Sequence, residues 1–251
     1  MAEDADAATI TWVGHATVLV EMAGTRALTD PLLGARLGPL VRVPGPVGAA
    51  TYRGVDVVLL SHLHADHADP RSLRRIGRDV EVVAPPGSRG WLRRRGMSKV
   101  RELRPGRVTA IGPLKVTAVP AEHDDRRHRF GPRAPAIGYV LEATRAVYFA
   151  GDTALFPEMA QIGPPPDLAL LPVGGWGPTL GPGHLDPHTA AEAARLIHPR
   201  LAIPIHWGTL ALPWRSRRRS DAGAAFAASA ATLAPDVEVR VLRPGERTRL
   251  E

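Results

Sequence analysis

The stretch LLSHLHADHADP, residues 59–70, places three histidines and two aspartates within eight positions, directly after an apolar run. Its pattern is His62-x-His64-x-Asp66-His67. Alternate residues of an extended segment point the same way, so His62 and His64 can face one point. Asp66 and His67 lie farther round the turn and can face a neighbouring point. Burying four such groups without a metal ion or other partners is costly, and imidazole and carboxylate are common ligands of Zn²⁺ and similar ions. The stretch therefore predicts a metal site.

Potential ligands also follow three other apolar, strand-like runs farther along the chain. His123 lies in VPAEHDD, Asp152 in YFAGDT and His206 in AIPIHWGT. All three repeat one feature, which is a ligand just past the end of a buried strand. Because α/β folds assemble their sites at strand ends, these residues are candidates to complete the metal centre.

The composition excludes several other classes of protein. The chain has 251 residues, 44% of them hydrophobic, which is enough for a sizeable core in one domain spanning residues 1–251. It has no cysteine, so a disulfide scaffold, a cysteine-based zinc finger and a thiolate nucleophile are excluded. Neither a secretory signal nor an apolar run of about 20 residues is visible, so we expect a soluble cytoplasmic protein without a transmembrane segment.

The chain is strongly basic, with a formal net charge of +7 and a sequence pI near 10.8. Nearly all of the positive charge is arginine, scattered along a chain rich in Ala, Gly and Pro. We read this as a general bias of composition and do not expect nucleic-acid binding. Two arginine-rich stretches, residues 126–129 and 215–219, either bind substrate or are solvated loops, and the sequence leaves both readings open.

The pattern of apolar runs and turn residues predicts a mixed α and β fold. We expect a long loop over 31–54, where Gly and Pro are frequent, and another over 174–186. Strands are predicted near 8–13, 16–22, 26–29, 55–60, 80–84, 107–111, 114–120, 136–143, 145–150, 167–173, 200–207 and 237–242. Helices are predicted near 70–76, 87–95, 154–162, 186–197 and 222–233.

The order of the seven candidate ligands resembles the metallo-β-lactamase fold superfamily, from about residue 8 to residue 245. The resemblance implies an α/β fold, a four-layer αββα sandwich with metals at one edge of two facing sheets. It also implies that one metal is held by His62, His64 and His123, and a second by Asp66, His67 and His206. Asp152 would bridge the two.

Further details are similar to the branch that holds the bacterial ascorbate-phosphate lactonases and the N-acylphosphatidylethanolamine-hydrolysing phospholipase D. They are TWVGHATVLVE, LTDP, GHLDP and IHWGT. In that branch the histidine of GHLDP, here His184, lies over the metals and contacts substrate phosphate. The chain departs from the lactamases in having no cysteine ligand. It also departs from the aromatic-Ser-Gly-Arg run common in relatives, because DDRRHRFGPR follows His123, and this puts substrate identity in doubt.

We therefore predict a hydrolase in which two divalent ions activate a water against a phosphodiester, phosphoester or lactone. Zinc is expected first, with manganese or iron as alternatives. Asp66 is expected to accept the proton of the water as well as bind metal, and His184 to donate a proton or hold phosphate. Arg126, Arg127 and Arg129 are candidates to pair with an anionic substrate.

Two other functions stay open: a metal-binding protein with a non-catalytic role, and a nuclease of the same fold. The expected partner is a small or lipid-like anionic substrate, and a homo-oligomer is possible. We expect His15 to buttress the site, and Asp30 either to orient a ligand or to form a turn. His128, His188 and His198 are expected at the surface. Trp176 either forms a wall of the substrate site or lies in a plain loop.

Overall fold

The structure is a computed structural model that describes residues 7–127, 131–175, 180–215 and 221–251. Our expectations for His128, Arg129, Trp176 and residues 216–219 therefore lie outside the described residues. No helix within the described ranges is long and apolar enough to span a bilayer.

The strands alternate with short helices along most of the chain. The helices are α1 (Ala49–Tyr52), α2 (Pro70–Ile76), α3 (Arg89–Arg93), α4 (Pro187–Ile197) and α5 (Ala222–Leu233), with 3₁₀ turns at Pro157–Gln161 and Pro213–Arg215. The strands are β1 (Ala8–Gly14), β2 (Thr17–Met22), β3 (Thr25–Thr29), β4 (Arg36–Leu37), β5 (Leu40–Arg42), β6 (Val57–Leu59), β7 (Glu81–Ala84), β8 (Lys99–Glu102), β9 (Val108–Ile111), β10 (Leu114–Pro120), β11 (Ile137–Glu142), β12 (Ala146–Phe149), β13 (Leu168–Pro172), β14 (Leu201–Ile205), β15 (Leu210–Ala211), β16 (Glu238–Val239) and β17 (Arg247–Leu250).

These strands form two seven-stranded sheets and one small sheet. The first has the order β17-β1-β2-β3-β6-β7-β8 and the second β16-β14-β13-β12-β11-β10-β9. The small sheet has the order β15-β5-β4. Both large sheets are mixed, with antiparallel pairs at one end and parallel pairs at the other.

The large sheets face each other across the main core, and helices cover their outer faces. In β6 and the residue that follows it, successive side chains point alternately into two layers. Val57 and Leu59 belong to the core between the sheets, whereas Val58 and Leu60 pack with residues of α2 and α3. The outer face of the second sheet packs against α4 and α5 in the same way. The expected αββα sandwich is confirmed.

Several local expectations were wrong. The predicted loop 31–54 contains β4, β5 and α1, which are too short to produce a periodic signal. The predicted helix 154–162 is a 3₁₀ turn at Pro157–Gln161. The predicted last strand, 237–242, is reduced to β16, and the chain ends instead with β17, which pairs with β1.

Strand direction brings the ends of six strands to one edge of the sandwich. In the first sheet β1, β3 and β6 run the same way, since β3 is parallel to β6 and two antiparallel pairs connect β3 to β1. In the second sheet β10, β12 and β14 run the same way by the same logic. The residues that follow these strands form most of the candidate site.

Candidate metal centre

The first group of predicted ligands is His62, His64 and His123. One ring nitrogen from each lies within 4.8 Å of the other two. The closest approach is 3.0 Å, between His123 Nε2 and His64 Nδ1. His62 is buried, and the other two histidines are half-buried, with His64 bordering a cavity.

Hydrogen bonds behind these rings set which nitrogen carries the proton. The carbonyl of Arg126 lies 2.8 Å from His64 Nε2, and the carbonyl of Gly183 lies 2.7 Å from His123 Nδ1. A carbonyl only accepts, so each of these nitrogens donates a proton, and the opposite nitrogen of each ring keeps its lone pair. His64 Nδ1 and His123 Nε2 thus turn two lone pairs toward each other, an arrangement that a shared cation would stabilise.

His62 is oriented by a relay through Ser61. The Ser61 hydroxyl donates to Asp30 Oδ2 at 2.5 Å, so it is free to accept from His62 Nδ1 at 2.9 Å. This leaves the lone pair on His62 Nε2, a buried atom without a hydrogen-bond partner among the described residues. A buried nitrogen with an unused lone pair is what a metal ligand looks like in the absence of its ion.

The second group is Asp66, His67 and His206, in which both histidines are buried and Asp66 is half-buried beside the cavity. His67 Nδ1 is 2.7 Å from Asp30 Oδ2, and His206 Nδ1 is 2.7 Å from the carbonyl of Gly174. Both acceptors require a proton on Nδ1, so the two Nε2 atoms carry the lone pairs. These two Nε2 atoms are 3.1 Å apart. Their lone pairs converge as in the first group.

Asp152 lies between the two groups. Its Oδ2 is 3.0 Å from His67 Nε2, 3.3 Å from His206 Nε2 and 4.0 Å from His62 Nε2. Its Oδ1 is buried and has no hydrogen-bond partner among the described residues. One carboxylate therefore faces both sets of histidines and still has an oxygen to offer.

The carboxylates of the second group and Asp152 create a site that favours a positive charge. Burial raises the pKa of Asp66 and Asp152, but the surrounding histidines outweigh it and hold both pKa values well below the usual range. Burial also opposes protonation of His67 and His206, yet the same carboxylates raise the pKa values of both histidines. Without a metal, protons would have to occupy the place where the lone pairs converge, and a bound cation fits that place instead.

The first group behaves differently. Burial lowers the pKa of His123 to about 4, and burial also lowers the pKa values of His62 and His64. These rings are neutral at neutral pH, which is the protonation state that metal ligation requires. The donor set and its protonation thus fit divalent metal ions at both groups.

Local backbone conformation brings the ligands to this edge. His15, Asp30 and His206 have positive φ angles of 56°, 33° and 65°, which are unusual for residues other than glycine and cluster at functional sites. At Gly151 φ is 65°, and an added Cβ would lie 2.5 Å from the Ser61 Cβ. The glycine is required here because the Asp152 turn passes directly against the turn that carries His62.

A helix cap ends the ligand-bearing turn after His67. The Asp69 carboxylate accepts from the backbone N–H groups of Arg71 and Ser72, and Pro70 occupies the first turn of α2. This is a favourable N-terminus, which fixes where the chain stops turning and starts the helix.

Residues behind the ligands complete the centre. His15 Nε2 lies 3.0 Å from Asp66 Oδ2, so the expected buttress contacts a predicted ligand directly. Of the two readings of Asp30, the geometry favours the orienting one, since its carboxylate contacts both Ser61 and His67. His188 and His198 are exposed, as expected.

A cavity of about 380 Å³ opens over the centre. His184 borders it, with Nε2 3.6 Å from Asp152 Oδ2 and Nδ1 3.0 Å from the carbonyl of Gly181. The loop leaves through Asp186, which forms a capping box at the start of α4. The cavity is lined by Leu37, His64, Ala65, Asp66, Arg127, Asp152, Gly175, Leu180, Gly181, His184 and His206.

Comparison with known proteins places this centre in a family. The family described as beta-lactamase superfamily domain matches residues 25–207. The chain belongs to the metallo-β-lactamase fold superfamily. The match includes all seven predicted ligands, from His62 to His206, and the sandwich described above is the fold of this superfamily.

Three relatives illustrate the range of this superfamily. A metal-dependent hydrolase of Methanopyrus kandleri is 32% identical over 251 residues, covering 94% of this chain and 97% of that protein. The N-acyl-phosphatidylethanolamine-hydrolyzing phospholipase D 1 of Caenorhabditis elegans is 31% identical over 229 residues, 79% of this chain, but this chain spans only 63% of that protein. The structure of a metallo hydrolase from Ignicoccus hospitalis has a TM-score of 0.75 at 25% identity, covering 98% and 99% of the two chains.

These relatives and the donor set identify the chain as a metal-dependent hydrolase of the metallo-β-lactamase superfamily. The roles of individual ligands stay predictions, for which the geometry now supplies specific distances. Sequence reasoning singled out three arginines without separating them, and the structure places Arg127 at the cavity. The position of Arg127 four residues after His123 was the available signal.

Proposed function

We propose that this hydrolase binds two divalent ions, zinc first, and acts on a phosphodiester, phosphoester or lactone. The observation that carries the proposal is the convergence of ring lone pairs at two neighbouring places with the Asp152 carboxylate between them. His62, His64 and His123 would hold one ion, Asp66, His67 and His206 the other, and Asp152 both. Bound ions of this kind lower the pKa of a water and polarise the group that it attacks.

Asp66 is proposed to serve as a ligand and as the proton acceptor. Its carboxylate lines the cavity, so it can reach a water there, and the contact with His15 holds one of its oxygens. His15 is buried, and burial lowers its pKa to about 4, so its imidazole is neutral and donates the Nε2 proton to Asp66. This contact orients the carboxylate without neutralising it.

His184 is proposed to serve the substrate. Because Nδ1 donates to Gly181, the Nε2 atom is the one that faces the centre. When this atom is protonated, it can hold a phosphate oxygen or donate its proton to a leaving oxygen. Its loop lies outside the strand ends that carry the seven ligands, so its position depends on the backbone of the loop itself.

The cavity supports a small or lipid-like anionic substrate. Arg127 provides a positive charge at its wall, and Leu37 and Leu180 provide apolar surface. The similarity to a phospholipase D agrees with a phosphodiester, and a lactone remains within the same chemistry of attack at a polarised centre. A cytoplasmic location and a homo-oligomeric state remain predictions.

The proposal is tested by a hydrolysis screen of the metal-reconstituted protein against phosphodiesters, phosphomonoesters, lactones and acyl esters. Each assay runs beside a chelated sample and the Asp152→Ala variant. We expect one class to be hydrolysed by the metal-loaded protein alone. Stoichiometric metal without any turnover would instead favour a non-catalytic metal-binding role.

A further inference from the structure

Arg127 hydrogen-bonds two backbone carbonyls beside the metal centre. Its Nη1 donates to the carbonyl oxygens of Leu63 and Ala68. These two carbonyls stand on either side of the turn that carries His64, Asp66 and His67. Since both backbone acceptors belong to that turn, the guanidinium holds its two ends together.

A stack on an indole fixes the plane of the guanidinium. The Arg127 Cζ lies 4.3 Å from the ring centroid of Trp91, whose side chain is 3% exposed. The Arg95 guanidinium lies over the same ring at 3.9 Å. Stacking of this kind favours arginine over lysine, because a planar cation can lie flat on the ring.

Part of the same guanidinium is available to a ligand. Arg127 lines the cavity over the metal centre, and it forms no salt bridge of 4.0 Å or less within the described residues. Burial lowers its pKa only to about 10, so it remains a cation at neutral pH. A half-buried cation beside a cavity, with donors beyond those used for the backbone, is a favourable site for an anion.

We propose that Arg127 determines specificity: it positions the ligand turn through Nη1 and binds the anionic part of the substrate through its remaining N–H groups. The inference rests on the proposed function and narrows its substrate class. The favoured ligand is an organic phosphate, phosphonate or carboxylate with a compact apolar substituent, which would contact Leu37 and Leu180 of the cavity lining. Arg126 is different, because its carbonyl serves His64.

Binding of two inhibitors separates the two tasks without requiring turnover. Phenylphosphonate carries an anion and an apolar ring, whereas acetohydroxamate chelates metal and lacks a second anionic group. We would titrate both into the metal-reconstituted protein by calorimetry, with metal content measured on the same preparations. The variants are Arg127→Met and Arg127→Lys. The control is Arg95→Met, which removes the other guanidinium stacked on Trp91 and is outside the described cavity lining.

We expect Arg127→Met to weaken phenylphosphonate binding by about tenfold or more, the scale of one charge-assisted contact. Acetohydroxamate affinity should change by less than about twofold relative to Arg95→Met if the metals are held as before. Arg127→Lys should retain part of the phosphonate affinity, since it keeps the charge and loses the fork. If Arg127→Met does not fold, Arg127→Lys is the variant on which the inference is tested.

Two results would overturn the inference. One is unchanged phenylphosphonate affinity in both Arg127 variants. The other is an equal loss for both inhibitors together with loss of metal, which would leave Arg127 a purely structural role. Failure of the proposed function would look different, since a protein that hydrolyses nothing can still bind phenylphosphonate through Arg127.

Discussion

The two ligand groups are built from similar residues but are held in different ways. His67 and His206 are 0% and 1% exposed, and a buried carboxylate, Asp30, stands behind His67. His64 and His123 are half-buried, and only backbone carbonyls of loops stand behind them. His67 therefore has a charged partner of its own, whereas two of the three histidines in the other group depend on loop carbonyls, and only His62 there reaches Asp30, through Ser61. We call these the buried group and the loop-held group.

This difference suggests a division of labour between the groups. A carboxylate behind a ligating histidine makes its ring more basic and fixes its orientation, so the buried group should bind its ion more tightly. Both groups contribute to the cavity lining, through His64 in the loop-held group and through Asp66 and His206 in the buried group. The loop-held group can in addition be adjusted by changes in the loops behind His64 and His123. We expect the ion of the loop-held group to be the first that a chelator removes.

The largest effect is expected where the two groups meet. Asp152→Ala removes the carboxylate that both groups face, so it should abolish hydrolysis and weaken both ions, and the distinction between the groups should disappear. Activity assays and elemental analysis of the reconstituted variant measure this. Full activity with full metal content would show that Asp152 is not the bridge.

The next effect concerns the carboxylate behind His67, which also reaches His62 of the other group through Ser61. Asp30→Asn tolerates the positive φ of this position but places an amide N–H where Ser61 and His67 donate. We expect roughly 10- to 100-fold weaker metal binding, measured by competition with a chromogenic chelator. Asp79→Asn is the control, because Asp79 is exposed and its carboxylate accepts a hydrogen bond from Ser98. Equal metal affinity in the two variants would contradict the role of Asp30.

An effect confined to turnover should separate substrate handling from metal binding. His184→Gln is expected to lower kcat/KM by about 100-fold, the scale of one acid–base group, with metal content unchanged. His188→Gln provides the control, since His188 is an exposed residue of the same region. Lost metal would make His184 a ligand, and unaltered kinetics would make it a bystander.

The smallest effect tests the loop-held group through one glycine. Gly183 has φ of 79°, and an added Cβ would lie 3.0 Å from His123 Nδ1. Gly106 has φ of 78° with nothing within 4 Å of an added Cβ. Alanine at either position should cost about 1–2 kcal/mol of stability from the backbone alone, measured by chemical denaturation.

Only Gly183→Ala should also displace His123 and weaken one ion by several-fold. Chelator titration of the two variants side by side shows whether one ion or both are affected. Equal metal retention in Gly183→Ala and Gly106→Ala would mean that the loop does not control the first group.

Much of the centre was predictable because its residues follow strong strand signals. Val57–Leu59 and Leu201–Ile205 are fully buried runs, and His62 and His206 come shortly after them. The order of the ligands then indicated the fold through family resemblance. Contacts between residues that are far apart in the sequence were harder to predict. No local pattern reveals that His15 contacts Asp66 or that Arg127 donates to the carbonyls of Leu63 and Ala68.

The parts of the fold that were missed have weak local signals. Strands β4 and β15 have two residues each and exist because β5 pairs with both. Strand β17 reads as RTRL, an edge segment with two arginines, and its pairing with β1 joins the two ends of the chain. Such elements are stabilised by distant partners, which a local pattern does not contain.

The central claim is that two ions occupy two distinct groups bridged by Asp152. The most direct measurement is anomalous-difference crystallography of the zinc-reconstituted protein, combined with elemental analysis of the same sample. We predict two peaks, one among His62, His64 and His123 and one among Asp66, His67 and His206, with two ions per chain. Less than one ion per chain after reconstitution, or a single peak away from Asp152, would contradict the account.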